Sequence, residues 1–273
     1  MRRLVPALAV NAALAALAVL TLLPLAWMVS ASFMPTGEAS AIPPRLLPSA
    51  PTLANYRTLF TRLDLARNLA NSAFIAVVVT AIALIVNSMA GYSFAKLRFA
   101  GRDRIFRVLL AALVIPGQVA MLPLFLMLRA AHTIDTYWAV VIPGMASVFG
   151  IFLVRQYALG IPDSILDAAR VDGAGEFRIY RTLVVWLCAP ILVTLGVFTF
   201  MGTWNDFMWP LIVLADARRY TLPVALANLA GEHVQDTELM MAGAVLTVLP
   251  VMVIFLVLQR WYIAGILAGG VKE

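Results

Sequence analysis

The chain has 273 residues, 63% hydrophobic and only 12% charged, about half the ~25% charge of a soluble domain. Together with a mean hydropathy of +0.93, this excludes a soluble globular protein and indicates an integral membrane protein. The net charge of +6 then reads as membrane orientation, not affinity for nucleic acid. The single Cys188 excludes an intrachain disulfide, and His132 and His233 lack ligand-like spacing, so no metal site is expected.

Six apolar runs, at about 8–29, 70–94, 106–128, 137–157, 187–214 and 240–258, are each long enough to cross a hydrocarbon core of about 30 Å as a helix. Period-2 alternation is absent, so the expected fold is an all-α, polytopic transmembrane helical bundle and not a barrel. The first run exceeds the ~7–15 residues of a signal-peptide core and is read as a retained span. Arg2 and Arg3 anchor its cytoplasmic end. Between 30 and 68, Pro35, Pro43, Pro44, Pro48 and Pro51 predict an extended outer stretch, followed by the short amphipathic piece "TLANYRTLFTRL". Residues 1–66 thus make a first span and outer segment, 67–262 a transmembrane domain and 263–273 a cytoplasmic tail. With the N-terminus inside, thirteen of the twenty Lys and Arg fall on the cytoplasmic side, which favours both termini inside.

This orientation puts 159–186, "LGIPDSILDAARVDGAGEFRIYRTLVVW", in a cytoplasmic loop. Pro162 and Asp163 suit a helix start. Ile165, Leu166 and Ala169 form an apolar stripe, and Gly173 stands where a left-handed cap closes the helix. A second helix from about Gly175 places Phe177, Tyr180 and Val184 on one face. Ala168, Ala169, Gly173 and Ala174 leave room for another backbone, while Asp167 and Asp172 offer hydrogen bonds or ion pairs beside them. The pattern fits a knob for a partner's cleft and equally a helix lying on lipid headgroups.

Within the spans, Asp206 is the ionisable residue placed well along the fifth; such groups usually face a polar cavity or the bundle interior. Asn205 and Gln118 suit hydroxyl groups, and Trp204 or Trp209 suit a sugar face. Against this, "WNDF" reads as a helix-end motif bonding neighbouring backbone, and that structural role is favoured. Asn87 and Ser88 are expected to bond between helices. Pro116, Pro143, Gly150, Gly196, Gly202 and Pro250 are assigned no hinge role. No catalytic constellation is present, and no Gly-Lys pair occurs, so the phosphate loop of a P-loop ATPase is absent.

"DAARVDGAGEFRIYRTLVVWLCAP" resembles the EAA loop of bacterial binding-protein-dependent ABC importer permeases: Glu-Ala-Ala, three residues, Gly, nine residues, Ile, one residue, Leu-Pro. Here Asp167-Ala168-Ala169, Gly173, Leu183 and Val185 keep the spacing; Asp167 replaces Glu and Trp186 replaces Pro. "IPGQVAMLPLF", "DTYWAVVIPG", "WNDFMWPLI" and the tail "QRWYIAGILAGGVKE" extend the likeness over nearly the whole chain, to the six-span maltose-type carbohydrate permeases. The resemblance implies the type I ABC importer permease fold in the bacterial inner membrane. It further implies a coupling helix at Asp167, Ala168, Ala169, Asp172, Gly173 and Ala174, docked on a separate ATPase. The implied partners are a second homologous permease, an ATPase dimer, an extracytoplasmic sugar-binding protein and membrane lipid. No cofactor is expected on this chain, ATP and Mg belonging to the ATPase, which the closing "VKE" is expected to reach. The implied solute is a di- or oligosaccharide, with glycerol-phosphate-like or other polar solutes as the alternative. An ion-gradient-driven secondary transporter is the rival of another class, and only Asp206 suits it.

Overall fold

The computed structural model of the chain describes residues 4–62, 64–232 and 236–270, leaving aside the side chains of 4–9, 62, 230, 232, 258 and 260–270. The anchors Arg2 and Arg3, His233 and the closing residues 271–273 lie outside the described residues. No strand occurs among the described residues.

In chain order the helices are α1 (Leu4–Ser32), α2 (Ala54–Arg62), α3 (Leu65–Lys96), α4 (Arg102–Ala112), α5 (Met121–Ala130), α6 (Tyr137–Gly144), α7 (Val148–Leu159) and α8 (Asp163–Val171). They continue with α9 (Glu176–Leu187), α10 (Ala189–Trp204), α11 (Met208–Val213), α12 (Leu222–Glu232) and α13 (Thr237–Gly270). Among the described residues, four stretches are long and apolar enough to cross a membrane: Val10–Ser32, Leu65–Lys96, Tyr137–Leu159 and Thr237–Val257. The number reaches six when two sharply bent pairs each count as one span. These helices satisfy their own backbone hydrogen bonds, which lipid requires.

The bends correct the straight spans expected at 106–128 and 187–214. Helix α4 and the stretch Gly117–Ala130 meet at 98°. Pro116 has no N–H for the carbonyl of Ala112, and its ring crowds that carbonyl, so α4 stops. The N–H groups of Leu113, Val114 and Ile115 instead close tight turns on Leu110, Ala111 and Ala112. Helices α9 and α10 meet at 80°, where Pro190 in the first turn of α10 excludes the carbonyl of Trp186 in the same way. The fifth span breaks again at 205–207, before α11. Pro116 therefore does mark a bend, whereas Pro250 sits inside the continuous α13.

The chain forms two compact units, 1–67 with 222–250 and 68–221 with 251–273. In the first, Ala31, Met34 and Ala39 are buried, with Trp27 and Met241 packed on them. Asn55 donates to the carbonyls of Ser32 and Met34 at 3.0 and 2.9 Å. The fully buried Glu238 accepts the Ala39 N–H at 2.6 Å. The proline-rich outer stretch is folded into turns, not extended, because Glu38 gathers the Ser49 N–H and Arg45 onto one carboxylate oxygen.

In the second unit one apolar cluster centres on Tyr92, Ala158, Leu166, Ile179 and Val184. Another centres on Ile75, Val79, Val140, Trp209 and Val213. Close helix contacts use glycine: a Cβ on Gly91 would lie 2.7 Å from Val154, and one on Gly144 would lie 2.7 Å from Val79. Asn87 accepts the Ser147 N–H at 3.0 Å and Ser88 meets the Tyr180 hydroxyl at 2.6 Å. The second joins α3 to α9, as expected, while the first ties α3 to the α6–α7 break.

Candidate functional site

The site residues expected from the sequence fall in or beside two features of the second unit. The first is the connection between the fourth and fifth spans. Pro162 precedes α8 and Asp163 lies in its first turn. Gly173 adopts φ 81°, a conformation that costs an ordinary L-residue roughly 1–2 kcal/mol. It closes α8 with bonds from Gly173 N–H to Arg170 and from Ala174 N–H to Ala169.

The two expected apolar stripes need correction. Leu166 is 1% exposed, and Ala169 packs on the same cluster, but Ile165 points outward at 40% exposure. Along α9 the buried residues are Ile179, Tyr180 and Val184, while Phe177 is 64% exposed. The reason is a π-helical turn over Tyr180–Val184. It aligns residues five apart, Ile179 and Val184, and rotates Phe177 off the inner face. The small-residue face also divides: Ala169 and Ala174 pack inward, whereas Asp167, Ala168, Asp172 and Gly173 are exposed. Positions 166 and 169 share one side of a 3.6-residue helix and 168 the other.

Charge pairs fasten this segment to its support. Arg170 donates to Asp167 at 2.6 Å and to Glu176 at 2.7 Å, and the Tyr92 hydroxyl of α3 donates to the other Glu176 oxygen at 2.7 Å. The Arg170 hydrogen bond, helped by Tyr92 against some desolvation, holds the Glu176 carboxyl below the ordinary range. Lys96 donates to Asp163 at 2.7 Å and to the Ile161 carbonyl at 2.6 Å, and it lowers the Asp163 carboxyl. The anchors Tyr92 and Lys96 carry no local signal in the sequence, because they reach the segment from α3. Trp186, the departure from the motif, is 73% exposed and lies inside α9, before the 80° bend.

The second feature is a cleft of about 360 Å³ whose lining includes Gly117 and Gln118, Pro143 and Gly144, and Thr203, Asp206 and Trp209. Each group lies at or beside a helix interruption: after Pro116, at the α6–α7 break and at 205–207. Interrupted spans around a cavity are the form transporter sites take, since irregular backbone survives at membrane depth only against protein or water. Gln118 and Asp206 thus share the cleft. Asn205 does not; it donates to the Met201 carbonyl at 2.8 Å and lines a separate cavity of about 450 Å³ with Gly202 and Gln259. Asp206 faces two backbone N–H groups, that of Trp209 at a long 3.4 Å and that of Met208, and meets no cation among the described residues. Trp209 donates its indole N–H to the Ala139 carbonyl. Trp204 is 2% exposed and stacks on Phe200, away from solvent. Thr203 and Gly144 were not among the expected residues; the signal for them is the recurrence of Gly and Pro at 116–117, 143–144 and 202 in successive spans. Among the described residues no group of His, Cys, Asp and Glu could hold a metal.

Residues 87–267, which contain the connection and most of the cleft lining, match the model of the binding-protein-dependent transport system inner membrane component. The chain belongs to this family. It is 36% identical over 259 residues to the arabinooligosaccharides transport system permease protein AraQ of Halalkalibacterium halodurans, covering 94% of this chain and 93% of that one. It is 32% identical to the lactose transport system permease protein LacG of Rhizobium radiobacter, covering 100% and 98%. To the trehalose transport system permease protein SugB of Mycobacterium tuberculosis it is 33% identical, covering 92% of each. In fold it is similar to a chain in the crystal structure of a bacterial ABC transporter involved in the import of the acidic polysaccharide alginate, with a TM-score of 0.83, 24% identity and coverage of 94% and 96%. This binding-protein-dependent component accordingly has the type I importer permease fold and is a membrane transport subunit, not an enzyme.

Proposed function

We propose that this subunit forms half of the pathway of an ATP-driven importer for a di- or oligosaccharide and is driven by a separate ATPase docked on residues 163–187. The observation that carries the coupling reading is the outward presentation of Asp167, Ala168, Asp172 and Gly173 on a segment clamped by Arg170, Glu176, Tyr92 and Lys96. A lever must be exposed where it is pushed and rigid where it pushes. The hydrophobic tips Ile165, Val171 and Phe177 stand beside the exposed small residues and suit burial under a partner. Both termini and this segment then face the cytoplasm, the side richer in Lys and Arg. ATP and Mg are held by the ATPase dimer, a second homologous permease completes the pathway, and a sugar-binding protein delivers the solute outside.

The sugar class is supported by the relatives, which transport arabinooligosaccharides, lactose and trehalose according to their names. The pathway in this subunit runs along the cleft of Gln118, Thr203 and Asp206, whose donors and acceptors suit hydroxyls and whose lining includes Trp209. ATPase closure moves the docked segment, and the ligand shifts the equilibrium only through its different affinities for the two states.

The deciding experiment is co-purification in mild detergent. The native chain is expected to retain an ATPase subunit. Gly173→Glu, at a position where a Cβ meets nothing within 4 Å but a side chain strains the φ of 81° that closes α8, is expected to weaken that association while still inserting in the membrane. Ala168→Glu, on the exposed side of α8, is expected to do the same without that strain. Unaided transport powered by a proton or sodium gradient would falsify the reading.

A further inference from the structure

We infer that the cleft between the end of α3 and the start of α4 holds the phosphate headgroup of an anionic membrane lipid. It has a volume of about 640 Å³ and is lined by Arg98, Arg102, Arg104 and Arg107, with Asp103 as its one acid. Arg102 is engaged, donating to Asp103 at 2.9 Å and to the Leu97 carbonyl at 3.2 Å. Arg107 donates through Nε to the Asp103 carbonyl at 3.3 Å. Arg98 and Arg104 are exposed and make no hydrogen bond among the described residues, although Arg98 lies near enough to the Lys96-paired Asp163 to help lower its carboxyl. Four guanidinium groups with one carboxylate leave an excess of positive charge and of planar donors. A phosphodiester supplies the missing acceptors, and guanidinium groups bind it through paired hydrogen bonds.

The cleft also has an apolar border. Phe99, Ile105 and Val108 are 42%, 47% and 66% exposed. On the helix, Val108 lies one turn beyond Arg104 on the same side. The exposed half of α4 is therefore cationic along one strip and apolar along the next. A ligand that is anionic at one end and hydrocarbon at the other satisfies both strips; an acidic protein surface satisfies the first alone.

The 98° angle places this face. Helix α4 and the stretch Gly117–Ala130 cannot both follow the bilayer normal. The arm bearing arginines is the one kept at the interface, because a guanidinium at the bilayer centre costs about 2.5–3.5 kcal/mol by insertion measurements. The cleft is also held in place from within. Phe106 is buried between the ring of Phe94, at 5.4 Å, and the guanidinium of Arg155, at 4.1 Å from the ring centre.

The test uses the full chain, purified in mild detergent, stripped of lipid and titrated with phosphatidylglycerol, phosphatidylcholine or inorganic phosphate, with adducts counted by native mass spectrometry. The wild type is expected to hold phosphatidylglycerol about tenfold more tightly than phosphatidylcholine, and Arg104→Gln with Arg107→Gln to abolish that preference. Arg98→Gln, outside α4, is expected to reduce it in a variant that leaves the helix intact. Thermal unfolding unchanged from wild type shows that the variants are folded. Equal retention of phosphatidylglycerol by wild type and both variants overturns the proposal. So does displacement of the lipid by an equal concentration of inorganic phosphate, which identifies a free-anion site. Loss of a co-purifying ATPase subunit with lipid retention unchanged identifies a protein-docking face and overturns it as well.

Discussion

The connecting segment 163–187 and the cleft at 117–118, 143–144 and 203–209 lie in one compact unit but are held in opposite ways. The segment rests on a fully buried Leu166 and on a chain of charged hydrogen bonds of 2.6–2.7 Å through Asp167, Arg170, Glu176 and Tyr92. The cleft is walled by interrupted helices, and its one carboxylate, Asp206, faces only backbone N–H groups of Met208 and Trp209, with no cation on it among the described residues. A part that transmits displacement gains from short, redundant bonds. A part that must admit and release a solute gains from loosely committed polar groups, because a site satisfied by protein alone has little to offer a ligand.

The largest test of this contrast is Leu166→Ala. Removing a side chain 1% exposed is expected to cost about 2–5 kcal/mol, read as a lowered unfolding temperature together with loss of ATPase retention. Retention at wild-type level would show that docking does not need a rigid support. Next is Gly91→Ala, at the α3–α7 contact beside the cluster that carries the segment. The new methyl would meet Val154 at 2.7 Å, and such overpacking costs about 1–3 kcal/mol; an unchanged unfolding temperature would show that the two helices can separate freely.

The cleft is probed without its fold. Asp206→Asn is expected to lower sugar uptake about tenfold, the equivalent of one hydrogen bond to a charged group, with ATPase retention intact. Asn205→Ala, outside the cleft, is expected to have a smaller effect; the reverse order would move the pathway to the other cavity. The smallest effect is in pH. The Arg170 hydrogen bond lowers the folded-state Glu176 carboxyl. Its stabilisation is therefore complete above the unfolded value of about 4.3 and is lost as pH falls through the lower folded value. Because the pair is partly exposed, the loss amounts to less than about 1 kcal/mol. Exchange protection across 163–187, taken relative to the intrinsic rate at each pH, is expected to fall below about pH 4 in wild type and to fall less in Glu176→Gln, where the Lys96-paired Asp163 keeps its own share.

Much of the segment was legible because its signals are local. Pro162, Asp163 and Gly173 act on their own backbone, and the expected start and close of α8 are where the structure has them. The faces were less legible. Phe177 belongs to the buried stripe under a uniform 3.6-residue period, and only the π-helical turn at Tyr180–Val184 removes it. That turn answers to the packing of Ile179 and Val184 against α3 and α7 residues such as Tyr92 and Ala158.

The cleft was legible only as separate residues. Gln118, Asn205 and Asp206 are equally plausible in the sequence, yet two share a cavity and the third faces another. The sequence by itself determined the membrane class, the six apolar runs and the glycine-closed helix between the fourth and fifth, because helix length and backbone conformation depend on near neighbours. Pro116 and Pro190 likewise set the breaks locally; tertiary structure decided which alanines turn inward and which polar groups converge. Those outcomes depend on contacts between residues far apart in the chain, such as Gly144 on Val79 and Trp209 on Ala139, and no local pattern records them.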